Sequence, residues 1–164
     1  MKYCYECGTK LIEKELKNEG MIPYCTTCKQ FRFPIFSTAV SMIVQNPSED
    51  KILLIQQYGT GNNVLVAGYV NKGESAENAV IREVMEETGL KVKKLTFNKS
   101  EYFKKSNTLM LNFYCTVDRE ELSHLNDEEV DRAEWFSHKD AEKNIMNNSL
   151  AQRFLLNFLN RTEK

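Results

Sequence analysis

The stretch GYVNKGESAENAVIREVMEETGL, residues 68 to 90, constrains the fold more tightly than any other part of the chain. Residues 75 to 88 place their apolar positions at helical rather than alternating spacing. Ser75 stands where an N-cap belongs, and Gly89 where a left-handed residue ends a helix. At about 100° per residue, Glu83, Glu86 and Glu87 share an arc of roughly 100° and form one acidic stripe. Val80, Ile81, Val84 and Met85 occupy the adjoining arc, which is expected to be the buried face with the carboxylates at its edge. Ala76 and Ala79 fall in the acidic arc, and their small side chains are expected to leave space in front of the glutamates. Arg82 precedes Glu86 by four residues, the spacing of an easy salt bridge, whereas Glu83 and Glu87 have no comparable cation on the helix. Like charges at i,i+4 cost an isolated helix about 0.2–0.5 kcal/mol per pair. The stripe therefore has two readings: a solvated face, or a site for a hard cation, which takes a few carboxylate oxygens and shares itself with substrate phosphates.

Around this helix the pattern is largely strand-like. STAVSMIVQ and KILLIQQYG, separated by the turn cluster NPSED, read as a hairpin, and NNVLVAGYV as a third strand. KVKKLTFNKSEYF, NTLMLNFYCTV and VDRAEWF follow as further strands, and SLAQRFLLNFLNR closes as an amphipathic helix packed on the sheet. Strands, one helix, more strands and a terminal helix give a mixed α/β (α+β) architecture rather than a regular βαβ wind. Trp135 and Phe136 are expected to anchor a strand in the core, and His124 and His138 to face solvent.

The first 34 residues differ in kind. Of five cysteines, four form the pairs Cys4/Cys7 and Cys25/Cys28, within the C-x2-C-x15–20-C-x2-C spacing of a structural zinc site. Cys115, the odd one, lies in an apolar run, and a leftover thiol fits metal binding in a reducing compartment better than a disulfide framework. A segment this short buries too little apolar surface to fold alone, so Zn²⁺ is expected to supply its folding energy. Pro34 marks the boundary, giving a zinc ribbon over 1–34 and a main domain over 35–164. Between the pairs Lys10, Lys14 and Lys17 are matched by Glu13, Glu15 and Glu19, and the whole chain carries a net charge of only −1. Nucleic acid is therefore not the expected partner. The N-terminus has no apolar leader and no stretch is long enough to span a bilayer, so the expectation is a soluble, cytoplasmic protein that does not engage a membrane.

Residues 68 to 90 match Gly-x5-Glu-x7-Arg-Glu-U-x-Glu-Glu-x-Gly-U, with U a bulky aliphatic, at every specified position. This resembles the Nudix box, and the resemblance implies the Nudix fold, a mixed β-sheet sandwich between helices. It also implies hydrolysis of a nucleoside diphosphate linked to another moiety, by water attack at phosphorus with Mg²⁺ or Mn²⁺. Carried over to this chain, Glu83 and Glu87 are implied metal ligands and Glu86 a ligand or water-positioning base. The same resemblance implies that Glu74 and Arg82 orient the helix carboxylates and that Gly68 offers its backbone to a metal.

A four-cysteine ribbon ahead of such a box is similar to the NADH pyrophosphatase branch. TLMLNF and EVDRAEWF resemble that branch's SLMLGF and EI-x-EA-x-WF segments. The match implies an outlying metal-binding glutamate at Glu129, with Glu128 as the one-residue alternative, and a homodimer. Where the branch carries SQPWPFP as its NAD(H) mark, this chain has SEYFKKS; Tyr102 and Phe103 can still stack on a base there. The expected substrate is a small-molecule nucleotide: NAD(H), ADP-ribose, a related dinucleotide or a nucleotide sugar. Decapping of nucleotide-capped RNA, or a ligand-sensing or nucleic-acid-binding regulator on the same scaffold, are the alternatives.

Overall fold

The computed structural model describes residues 1–122, 125–126 and 128–162; His124 lies outside the described residues. The chain forms two compact units, Met1–Phe36 and Ser37–Lys164.

In the first unit, β1 (Ile12–Leu16), β2 (Gly20–Cys25) and β3 (Gln30–Phe31) form an antiparallel sheet in sequence order. Asn18 and Gly20 turn the first hairpin with φ of 72° and 79°, values that Asn and Gly adopt most readily. Tyr24 and Phe31 pack edge to face across β2 and β3. Tyr3, Tyr5, Ile12 and Met21 are exposed, so little of this unit's apolar surface is buried within it.

The second unit is built on β4 (Ser37–Gln45), β5 (Lys51–Gln57), β6 (Val66–Tyr69), β7 (Val92–Phe103), β8 (Thr108–Val117) and β9 (Val130–Ser137). The strand order is β7-β8-β4-β5-β9, with β6 also paired to β4. The expected β4/β5 hairpin is present but holds register only at Val44↔Leu53 and Gln45↔Ile52. The rest of that β4 edge is taken by β6, from Ala39↔Tyr69 to Met42↔Val66. On its other edge β4 runs parallel to β8 along its whole length. Every residue of β4 from Ala39 onward is buried, as a central strand covered on both faces requires.

Alternation along β4 divides two cores. Val40, Met42 and Val44 join Val66, Val80, Val84 and Phe113 beneath α1 (Ala76–Thr88). Ile43 joins Ile52, Leu54, Phe154, Leu155 and Phe158 beneath α2 (His138–Asn144) and α3 (Leu150–Thr162). The result is the expected mixed sheet between helices. The seven-residue α2 was not expected from the sequence; Ser137 caps it by accepting from Asp140 N. His138, expected in solvent, instead sets its ring 6.1 Å from that of Phe158, with Nε2 buried. The ring sits at the start of α2, where packing against α3 buries Nε2 and leaves the residue half-buried. Trp135 packs against the first core and donates Nε1–H to Glu120 O at 2.9 Å, and Phe136 packs against the second. Cys115 is 1% exposed, and burial pushes its thiol up to about 12, which makes it an inert core residue. Among the described residues, no helix is long and apolar enough to cross a membrane.

Candidate active site

The helix α1 begins and ends as its sequence dictates: Ser75 Oγ accepts from Asn78 N at 3.2 Å, and Gly89, at φ 69°, donates to Met85 O. Its rotation differs from the expected one. Ala79, Val80, Glu83, Val84, Glu87 and Thr88 are the buried residues, while Ile81 and Met85 are 47% and 38% exposed. The small side chains of Ala76 and Ala79 do not leave a gap before the glutamates; Ala79 is wholly buried in the core and Ala76 packs against it. They let α1 settle closely on β6 and β4, which turns the inner two carboxylates toward the sheet.

Gly68 makes that approach possible. A Cβ at this position would lie 1.9 Å from Glu83 Cδ, so Glu83 occupies the volume that a side chain at position 68 would need. A cleft of about 420 Å³ opens here, lined by Gly68, Asn71, Arg82, Glu83, Glu87 and Glu129, with Tyr58, Tyr69, Ser106, Thr108 and Met110 completing its walls.

Around the cleft the charges are ordered by one arginine. Arg82 donates Nε and Nη2 to the two oxygens of Glu74, each at 2.9 Å, a bidentate pairing. From the same fork Nη1 reaches Glu83 Oε1 at 2.6 Å and Glu86 Oε2 at 2.9 Å, and Nη2 reaches Tyr69 O at 3.0 Å. Thus Glu83 does have a helical cation, its own neighbour in sequence, which the i,i+4 rule passes over. The Arg82 hydrogen bonds, with a further donor from Asn71 N, hold the Glu74 carboxyl down to about 2.

Glu87 is different. It is 2% exposed, its carboxylate accepts from Gln57 Nε2 at 3.3 Å and from the Ala67 backbone N–H, and it faces two other carboxylates. Burial, reinforced by the Glu83 and Glu129 charges, pushes its carboxyl up to about 8. Burial likewise raises Glu83, against the opposing pull of Arg82. Three carboxylates sharing a cleft, two of them buried, match the donor chemistry of a hard divalent cation.

Glu129 reaches this group from the far side of the sequence. Asn126 donates its N–H to Glu87 O at 3.2 Å and accepts from the backbone N–H groups of Glu129 and Val130 at 3.1 and 2.8 Å. Asn126 thereby ties the turn carrying Glu129 to the end of α1. Glu129 lines the cleft and Glu128 does not; Glu128 N instead donates to Asn126 Oδ1. Asn126, Gln57, Tyr58 and Tyr69 were all missed from the sequence. Only Asn126, a turn former heading the acidic run NDEE, carried a usable signal. Tyr102 and Phe103 are not among the residues lining the cleft; Tyr102 is 52% exposed and donates its hydroxyl to Asn107 Oδ1 at 2.7 Å. From the same hairpin it is Ser106 and Thr108 that line it. Glu86 is also outside the lining, half exposed beside Arg82.

In the first unit the Sγ atoms of Cys4, Cys7, Cys25 and Cys28 all lie within 4.8 Å of one another. Cys7 to Cys25 is 3.4 Å and Cys4 to Cys28 is 3.9 Å. Four ligands at about 2.3 Å from a tetrahedral Zn²⁺ are separated by roughly 3.8 Å, so the cysteines fit the metal. Gly8 and Lys29, each directly after a C-x-x-C pair, are left-handed at φ 72° and 57°, and turn the two knuckles alike.

Comparison with known proteins agrees with this geometry. The NUDIX domain family model matches residues 36–158. The chain is 32% identical over 141 residues to the NAD-capped RNA hydrolase NudC of Escherichia coli, a match covering 85% of this chain and 52% of that protein. It thus spans about half the length of the curated relatives it matches. The crystal structure of a NUDIX hydrolase from Nitrosomonas europaea superposes with a TM-score of 0.65 at 17% identity, covering 99% of this chain and 93% of that one. The NUDIX domain of Shewanella oneidensis NrtR, in complex with ADP ribose, gives 0.66 at 14% identity, covering 85% and 94%. These two likenesses speak to the fold alone. The chain belongs to the Nudix family.

Proposed function

We propose that this chain is a divalent-metal-dependent pyrophosphohydrolase that cleaves a nucleoside diphosphate linked to another moiety, with water attacking phosphorus. The observation that carries the reading is the convergence of Glu83, Glu87 and Glu129 on one cleft, with Glu87 2% exposed and, among the described residues, in no ion pair. Buried carboxylates are costly unless a counter-charge completes them. Glu83, Glu87 and Glu129 would hold Mg²⁺ or Mn²⁺, with the Gly68 backbone as a further donor and Glu86 as a ligand or the base that positions water. When bound, the metal offsets the pyrophosphate charge and lowers the pKa of the attacking water. The protein's own part is positional. Glu74 fixes Arg82, Arg82 holds Glu83 and Glu86, Gln57 holds Glu87, and Asn126 anchors the Glu129 turn.

The proposed substrates are NAD(H), ADP-ribose, or a related dinucleotide or nucleotide sugar. The name of the Escherichia coli relative and the ADP ribose bound by the Shewanella oneidensis domain both support a nucleoside diphosphate core. Tyr58 and Tyr69, exposed rings on the cleft wall, offer faces for a base. An NAD-capped RNA end is the second reading, favoured by the same relative. The four cysteines are proposed to hold a structural Zn²⁺, and the chain to act as a homodimer in the cytoplasm.

Phosphate release after coupled phosphatase treatment tests the reading across NADH, NAD⁺, ADP-ribose, FAD, diadenosine polyphosphates, nucleotide sugars, nucleoside triphosphates and an NAD-capped RNA. Mg²⁺-dependent release from an ADP-linked substrate is expected. No metal-dependent hydrolysis of any of them, together with salt-dependent binding of RNA, would replace the enzyme with a sensing or nucleic-acid-binding regulator.

A further inference from the structure

We propose that Arg32 belongs to the metal site of the first unit: its buried guanidinium is a fixed counter-charge on the cysteine sulfurs that tightens their hold on the metal. The inference rests on the reading of the four cysteines as a zinc site. Arg32 is 3% exposed in a unit with little apolar bulk, an unusual place for a guanidinium unless its fork is fully used. Nε donates to Cys4 Sγ at 3.2 Å, Nη1 to Gln30 Oε1 at 2.9 Å, and Nη2 to Glu6 Oε2 at 2.6 Å. The Tyr5 ring lies over the same group, 4.7 Å from Cζ to its centroid.

Four thiolates around Zn²⁺ leave a net charge of −2, and donors to sulfur disperse it. The Cys28 N–H does so for Cys25 Sγ at 3.3 Å; Arg32 does so for Cys4 with a full positive charge. A lysine would bring the charge without the planar fork that also spans Gln30 and Glu6. Glu6, inside the first knuckle, orients the guanidinium while drawing part of its charge away from sulfur. The two partners of this ion pair should therefore act on metal retention in opposite senses.

The test uses the zinc-loaded full chain, with affinity measured by competition against a chromophoric chelator and the sulfur environment read from the charge-transfer absorption of the Co²⁺-substituted protein. Arg32→Met is expected to weaken zinc about 10–100-fold, the usual consequence of losing a group that supports a ligand, and to move the charge-transfer band to lower energy. Glu6→Gln is expected to hold zinc at least as tightly as the parent. Unchanged affinity in Arg32→Met would overturn the proposal. So would a Glu6→Gln variant as weak as Arg32→Met, because Arg32 would then be a strut between Glu6 and Gln30. Should Arg32→Met take up no metal, Arg32→Lys decides: partial retention supports the counter-charge, and complete loss overturns it. A parent chain that binds no zinc would instead remove the zinc reading underneath.

Discussion

The cysteine cluster and the carboxylate cleft both gather anionic side chains around a place for a cation, but they stand on very different scaffolds. Beneath the cysteines lie a three-stranded sheet and one edge-to-face aromatic pair. Beneath the glutamates lie two hydrophobic cores divided by a strand buried on both faces. In the first case a bound metal would have to supply what a core does. In the second the cores are built from apolar side chains and hold like charges together, so a cation would relieve a tension that the fold has already imposed. Losing a ligand should therefore unfold one region and only silence the other.

The largest expected effect is on turnover. Glu83→Gln or Glu87→Gln should lower kcat/KM by roughly 10²-fold or more, about 2.7 kcal/mol of transition-state stabilisation, with an unchanged circular dichroism spectrum. Near-parental hydrolysis by either variant would break the comparison at the cleft. Cys25→Ser, by contrast, should release zinc and expose residues 1–36 to protease while 37–164 stays resistant. Retention of a folded first unit by this variant would show that its small sheet suffices without the metal.

Gly68→Ala sharpens the contrast within the cleft. Its Cβ would meet the end of the Glu83 side chain rather than backbone, so the carboxylate should move and the strand should not. Misplacement of about 1 Å costs on the order of 10²-fold in rate, and the melting temperature should change little. A large loss of stability with activity retained would mean that β6 itself had shifted.

A further expected effect is the dependence of stability on pH. The unfolded Glu87 carboxyl titrates at about 4.3, whereas burial and its carboxylate neighbours push the folded one up to about 8. Between these values the folded chain holds a proton that the unfolded chain has lost, so through this group the Mg²⁺-free protein loses stability as pH rises across that window. Urea midpoints at pH 6 and pH 8 should fall less with pH in Glu87→Gln than in the parent, and that variant should be the more stable of the two at pH 8. Equal slopes would show that Glu87 is not strained in the metal-free fold.

Features that depend on local spacing were legible in the residue order alone. Ser75 and Gly89 cap α1 as their types require, each C-x-x-C knuckle turns on a left-handed residue, and the apolar and β-branched runs became β4 to β9. Periodicity fixes where residues stand on an element relative to one another, but not how the element is rolled against its neighbour. That roll was set by the close fit of Ala79 and Glu83 on β6, and it left Ile81 and Met85 outside. Likewise only the tertiary structure brought Glu129 to Glu87, Arg32 to Cys4, and Tyr58 and Tyr69 to one cleft. Such meetings follow from strand register, as where β9 pairs with β5 at Val130↔Gln57 and β6 with β4 at Tyr69↔Ala39, which joins residues too far apart in the chain for any local pattern to encode.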